Sequence, residues 1–417
     1  MTALPAEPVQ EQPASRGLVA EALSDTWKRT GARLGIAWIL FIAFLGVFAP
    51  LIASSQPLLV RIDGQLDSPW LRHLTTTDLT LMASAIAAVI LYFLGFLSAR
   101  SRWTAWFLIT LGFLILGSVT LSPPETVVYD RYRVAQAEGT AEILLRTPIP
   151  YSPNDRLRDR MIPPGENRID APLWAGGDYN HWLGQDRLEQ DIAARMTHAS
   201  RLAVAIGFIA TSIAAVLGIL IGAPMGYFGK TLDLIGMRLV EIFEFIPQLY
   251  LLLIFAAFFP GDRVALFPDT FPNFEIHRIY LIMGIIGLTS WTSYARFVRA
   301  EFLRLRNQDF VLAARASGLP LSSILFRHIL PNGLTPVIVS ASFGVAAAIL
   351  AEATLSFLGL GLLEEPSWGQ LLNQAQQSGS FLWWIALFPG LAIFLTVFAY
   401  NLIGEALRDA LDPKTTR

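Results

Sequence analysis

Long uncharged blocks alternate with short charged seams along this chain. No Asp, Glu, Lys or Arg occurs in residues 34–60, 79–99, 103–124, 202–229, 245–260, 279–295, 328–351 or 366–404. A helix of about 20 apolar residues crosses the ~30 Å hydrocarbon core of a bilayer. The blocks therefore predict eight spans, at about 34–53, 79–98, 104–121, 202–223, 239–259, 279–297, 334–357 and 382–403. The expected fold class is all-α, a polytopic membrane protein.

The seams orient the spans, because short basic loops face the cytoplasm. Lys28, Arg29 and Arg33 precede the first span, Arg100 and Arg102 join the second to the third, and Lys230 and Arg238 join the fourth to the fifth. Arg296, Arg299, Arg304, Arg306, Arg315 and Arg327 fill the loop after the sixth, and Arg408, Lys414 and Arg417 follow the last. All fall on one side if both termini of an integral inner-membrane protein are cytoplasmic. The acidic pair Glu364 and Glu365 then lies outside, and so does the 122–200 stretch with its nine arginines. Long loops cross largely regardless of charge.

Composition narrows the class. The chain has 417 residues, 53% hydrophobic and only 15% charged, with a mean hydropathy of +0.49. A net charge of −2 suggests no polyanionic partner, hence no nucleic acid. The absence of cysteine excludes disulfides, thiolate metal sites and a thiol nucleophile. Residues 1–33, rich in Pro and Ala, read as a cytoplasmic tail. The first apolar block is too long for a signal-peptide core and reads as an uncleaved span.

The segment "DFVLAARASGLPLSSILFRHILPN" (309–332) interrupts this apolar pattern on the cytoplasmic side. It reads as a short helix, a break at Gly318-Leu319-Pro320, a second short helix and a stop at Pro331. Gly318 suits a left-handed helix cap, and Pro320 cannot continue the helix. By itself this pattern also fits an ordinary inter-span loop. "AARASG" followed by "RHILPN" resembles the EAA loop in permease subunits of ABC importers, with Ala313, Ala314, Gly318, Leu330 and Pro331 at the matching positions and Leu312 where the family has Glu. "HWLGQD", "SFLGLG", "PSWG" and "LFPGLAIFLTVFAYNLIGEALRDALDP" resemble the peptide/nickel branch, and the likeness covers about residues 181–413. It implies a type I ABC importer permease core at 201–404, with the coupling loop at 298–333 docking on separate ATPases through Ala313, Ala314, Arg315, Gly318, Leu319, His328, Leu330 and Pro331. It further implies a homologous second permease, two ATPase chains carrying ATP and Mg, an extracytoplasmic solute-binding protein, contact with membrane lipid, and no cofactor or catalysis on this chain.

Other features admit simpler readings. "GYFGKT" (226–231) ends like a phosphate-binding loop, but the first Gly position is Pro224 and the segment leaves an apolar span, not a strand. Gly218, Gly222 and Gly226 form a small-residue ridge suited to close helix packing. Before the fourth span, Asp186, Asp191, Arg195 and Arg201 match the family pattern, whereas Glu189 and Gln190 depart from it. Asp191 and Arg195, four apart, are placed to pair on one helix face, either as a surface helix or as part of a gate. His181 and His198 lack ligand spacing. Glu352, an ionisable group within a span, is a candidate pathway residue, or a half-buried group reaching water. Glu241 and Glu244 are expected to stay wet at the inner mouth. Trp368, Leu371, Leu372 and Ala375 make one helical stripe, for packing on the bundle or for meeting a binding protein.

Two extra spans within 79–121 and an external region at 122–200 precede the core. That region, with "IPYSPND", "MIPPGEN" and "WAGGDY", is expected to be an ordered loop without a core of its own. Residues 405–417 are expected to be a second cytoplasmic tail. An ion-coupled secondary transporter is the alternative function, but Glu352 would be its only intramembrane carboxylate. A membrane enzyme is less favoured, since no His/Asp/Ser constellation converges on one side.

Overall fold

The computed structural model describes residues 24–94, 98–124, 127–156, 181–259, 261, 263–265, 275–362, 365–377 and 382–411. Glu364, "MIPPGEN", "WAGGDY" and both extreme termini lie outside the described residues. The membrane part consists of α1 (Thr30–Val47), α2 (Thr76–Phe93), α3 (Ala99–Thr120), α4 (Ile192–Phe228), α5 (Lys230–Phe245), α6 (Gln248–Phe258), α7 (Arg278–Leu305), α8 (Asp309–Ala316), α9 (Thr335–Phe357), α10 (Trp368–Gln377) and α11 (Trp383–Ala410).

Among the described residues, α1, α2, α3, α4, α9 and α11 are long and apolar enough to cross a bilayer; α5 and α6 together give up to a seventh span. The expected eight are thus not all met. The block at 279–297 is helical, as α7, but Thr289, Ser290, Thr292, Ser293 and Arg296 dilute its apolarity. The expected straight span at 239–259 is instead two helices bent by 64°. Pro247 explains the break, because it has no N–H to donate and clashes with a helical carbonyl four residues back.

α4 is the spine. At about 1.5 Å per residue, its 37 residues exceed the ~30 Å hydrocarbon core, so its ends project beyond it. α7 lies against it in the most extensive helix pairing among the described residues. The glycine ridge permits this: a Cβ on Gly222 would sit 2.4 Å from the Ala295 carbonyl oxygen, and one on Gly218 would sit 2.3 Å from the Tyr294 Cβ. α1 and α9 pack on the other faces of α4, and α11 packs on both of them, burying Ile42, Ala199, Ala203, Ala353, Trp368 and Ile393 together.

The extra hairpin, α2 with α3, packs mainly on itself. Thr75 and Asp78 form a reciprocal capping box that starts α2. The other Asp78 oxygen accepts from Arg201 Nη1 at 2.5 Å, and Arg201 Nε donates to the Gly46 carbonyl at 3.0 Å. One arginine of α4 therefore ties the hairpin and α1 to the spine.

The region around the external loop departs from expectation. β1 (Leu59–Ile62), β2 (Gln65–Asp67) and β3 (Ala141–Leu145) form an antiparallel sheet in the order β2-β1-β3. It has its own small core of Val60, Tyr132, Ala141 and Ile143. Asp63 and Gly64, at φ 51° and 81°, make the two-residue turn between β1 and β2, where both central residues need positive φ. The sheet joins the bundle through Ile149, whose N–H donates to the Ile52 carbonyl at 2.8 Å.

Candidate functional site

Three places carry the chemistry. The first is the interrupted loop. α8 buries Val311 and Ala314 beneath it. Its end is a Schellman cap: Leu319 N–H donates to the Ala314 carbonyl at 3.2 Å and Gly318 N–H to the Arg315 carbonyl at 2.9 Å, with Gly318 at φ +71°. The left-handed cap and the break at Gly318-Leu319-Pro320 thus stand where the sequence put them. The stop at Pro331 does not. The chain continues through Leu321–Ser323, a π-helical turn at Ile324–Ile329 and Leu330–Gly333, and Leu334, itself at helical φ and ψ of −75° and −19°, leads directly into α9. A wider π turn accommodates a residue that cannot donate to the carbonyl four back.

The loop is held to the spine by Arg315, whose Nε donates to the Tyr227 hydroxyl at 3.1 Å and whose guanidinium lies 4.8 Å from the Tyr227 ring centroid. Arg306 Nη1 donates to the Gly226 and Tyr227 carbonyls at 3.2 Å each, satisfying acceptors at the end of α4. His328 Nδ1 lies 3.0 Å from the Ser323 carbonyl, and Asn332 donates to the His328 carbonyl at 2.8 Å. Ala313, Leu319 and Pro331 are exposed, and Leu330 is half-buried. Phe310, Leu312, Leu321 and Phe326 are exposed as well. The "GYFGKT" segment is a joint between helices: Gly229, at φ 63°, separates α4 from α5, and Lys230, at φ 47°, opens α5.

The second place is a buried polar cluster at the start of α4. The expected pair between Asp191 and Arg195 does not form. Arg195, 3% exposed, instead pairs with Asp186 and donates to Gln374 Oε1 and Gln370 Oε1, each at 2.9 Å. Asp191 caps α4 through the Ala194 N–H at 2.7 Å and meets His181 Nδ1 at 2.8 Å. Capping holds Asp191 at the N-terminus, so its side chain faces the approaching loop instead of the next helical turn. Burial pushes the Asp191 carboxyl up, against the pull of His181 and the cap N–H groups. Tyr151 stacks on His181 with centroids 4.5 Å apart, joining the external region to the cluster.

Glu352 does not reach water. It is 5% exposed, accepts from Ser356 Oγ at 2.6 Å and also meets Ser367. Ser367 in turn accepts from the Gln370 N–H at 3.0 Å at the start of α10. Trp368 and Leu371 of the expected stripe are buried, with Leu372 and Ala375 partly so. Arg278, which sequence reasoning passed over, is buried and donates to the Leu360 carbonyl at 3.0 Å and the Gly361 carbonyl at 3.2 Å. It thereby holds the turn that ends "SFLGLG". Its one signal was an arginine abutting an apolar block.

The third place is a cavity of about 540 Å³ beside the break at Pro247, between α4, α5–α6, α7 and α9. Thr211, Gln248, Thr289, Ser290, Ser293 and Tyr294 supply polar groups among apolar walls. Glu244 stands at its rim, paired with Arg296 at 2.6 Å; outside it, Glu241 pairs with Arg238 at 2.5 Å. Neither Glu352 nor the Asp186, Asp191, Arg195 cluster lines this cavity.

Residues 218–417 match the family described as binding-protein-dependent transport system inner membrane components. A dipeptide transport system permease protein of Alkalihalophilus pseudofirmus is 36% identical over 250 residues, covering 60% of this chain and 75% of that one. A di/tripeptide transport system permease protein of Pseudomonas aeruginosa is 35% identical over 268 residues, covering 64% and 80%. An oligopeptide transport system permease protein of Haemophilus influenzae is 36% identical over 236 residues, covering 56% and 70%. With apolar helices around a polar cavity, a capped loop at one end and this similarity along the second half, the chain is an integral membrane protein that belongs to the binding-protein-dependent transport system inner membrane components.

Proposed function

We propose that this chain is the permease subunit of an ATP-driven importer of peptides. The observation that carries the reading is the Schellman-capped loop, exposed on one side and fastened to the spine by Arg315 and Tyr227. Motion imposed on α8 by a separate ATPase would pass directly into α4, which lines the cavity. Ala313, Leu319 and Pro331 present the docking surface, Gly318 sets its angle, and Ala314, His328 and Leu330 hold it together. Leu312 places an exposed apolar group where the family has Glu, so docking there rests on apolar contact.

The cavity suits a peptide backbone, since hydroxyls and a carboxamide offer hydrogen bonds without a fixed unpaired charge. Asp186, Asp191, Arg195 and Glu352 act outside it, joining α4 and α9 to α10 so that these elements move together. A homologous second permease, two ATPase chains and an external binding protein complete the assembly, with ATP and Mg on the ATPases. Both termini and the loop face the cytoplasm.

The test is uptake of a labelled tripeptide into proteoliposomes holding the assembled complex. Uptake that requires ATP and both ATPase chains supports the reading. Uptake that persists without them and follows an imposed ion gradient would establish a secondary transporter instead.

A further inference from the structure

A cavity of about 570 Å³ lies at the end of the extra hairpin, bounded by Gln56, Leu71, Arg72, His73, Arg131 and Tyr132 among others. It sits where α2 begins and α3 ends. Both helices are long and apolar enough to span a bilayer, so this end of the hairpin lies where hydrocarbon gives way to headgroups and water.

Among the described residues, the charged groups that line the cavity are of one sign. Its described lining contains two arginines and a histidine but no carboxylate. Arg72 is held by Asp67 at 2.9 Å, whereas Arg131 is exposed and, among the described residues, meets the Tyr132 ring, 5.7 Å from its centroid. Gln56 is the second observation. It is 3% exposed, yet among the described residues neither its Oε1 nor its Nε2 has a hydrogen-bond partner. A buried carboxamide without partners costs several kcal/mol in an apolar setting, and this one lines the cavity. A second, water-sized void of about 10 Å³ that Gln56 also lines holds at most one water, too few partners for both atoms. Leu71, Leu121 and Val128 add apolar walls beside the polar ones.

We propose that this cavity binds the phosphate-bearing headgroup of an anionic phospholipid. Arg131 faces the phosphate, His73 and Arg72 flank it, the Gln56 carboxamide bonds the ester or glycerol oxygens, and the apolar walls receive the first acyl carbons. Charge-assisted bonds from Arg to phosphate are the strong ones available at such a surface. The bound lipid fixes the depth and rotation of the extra hairpin in the bilayer.

The test uses the full chain purified in a neutral detergent and supplied with equimolar phosphatidylglycerol and phosphatidylcholine, with bound lipid read by native mass spectrometry. Wild type is expected to retain phosphatidylglycerol selectively. Arg131→Gln, a change at an exposed position that spares the fold, is expected to lower that retention about tenfold, the size of one lost charge-assisted hydrogen bond. Gln56→Leu is expected to lower it in the same direction while raising thermal stability in lipid-free detergent, because the unpartnered amide is gone. Equal retention of the two lipids by wild type, or undiminished selectivity in Arg131→Gln, overturns the proposal. Retention of inorganic phosphate in place of lipid, at millimolar phosphate, also overturns it by assigning the site to a free anion.

Discussion

Gly318 allows the loop's geometry to be tested separately from its packing. A Cβ built there meets nothing within 4 Å, and the residue sits at φ +71°. Substitution therefore costs only backbone strain. An L-residue in the left-handed region is disfavoured by about 1–2 kcal/mol, with Asn tolerated best and β-branched residues worst. A shift of that size changes the population of the capped conformation by a factor of about 5–30. Transport is expected to rank Gly318, then Asn, then Ala, then Val, with Gly318→Ala reduced about fivefold and Gly318→Val further. The assay is ATP-driven tripeptide uptake in proteoliposomes, alongside co-purification of the ATPase. Thermal unfolding of each variant should stay within a few degrees of wild type, since no core contact changes. Full uptake by Gly318→Val, or a Gly318→Asn variant as impaired as Gly318→Val, would refute the cap as the element that aims the loop.

The remaining expectations concern other parts of the fold. Gly222→Ala forces a methyl to within 2.4 Å of the Ala295 carbonyl and should destabilise by about 1–3 kcal/mol, read by thermal unfolding, whereas Gly112→Ala, with open space around it, should be neutral. Arg195→Met strands the buried Asp186 carboxylate and should cost about 3–5 kcal/mol; an unchanged melting temperature would show that the cluster does not tie α10 to α4. Burial pushes the Asp155 carboxyl up to about 6 from 3.8, against the pull of Arg133. The folded state holds this proton more tightly than the unfolded chain, so this group's contribution to stability, roughly 3 kcal/mol, is fully present below pH ~4 and is lost as pH rises through about 6. Asp155→Asn should remove that slope from unfolding midpoints measured across about pH 4–7. Single cysteines at Ser317 and Asn154, both exposed, should label with an impermeant thiol reagent only from the cytoplasm and only from outside, respectively; labelling of position 154 from the cytoplasm would invert the orientation.

Most of the loop could be read locally. Gly318 needs positive φ, Pro320 cannot extend a helix, and the Ala-rich stretch before them favours one, so cap and break follow from neighbouring residues alone. Pro331 misled because its missing donor admits two outcomes, termination or a widened turn, and neighbouring packing selects between them. Ile324 and Ile329 are buried on either side of that turn, which keeps the chain helical. The β1–β2 turn was legible too: Asp63-Gly64 between apolar-containing runs is a strong hairpin signal, masked here by the apolar block before it. The carboxamide partners of Arg195 were not legible, since Gln370 and Gln374 lie 175 and 179 residues away.

The sequence alone determined that the chain lives in a membrane. Uncharged blocks of span length are a local property, and a helix is the one structure that satisfies every backbone group of such a block from within itself. It also determined the glycine ridge and the capped loop, which depend on the size and φ of single residues. Only the tertiary structure decided which spans are whole, which carboxylates pair, and where the polar groups converge. Those outcomes rest on contacts between distant segments: Pro247 breaks a span whose composition reads as continuous, Asp191 turns to His181 because it caps α4, and the cavity exists only where four separate stretches of chain meet.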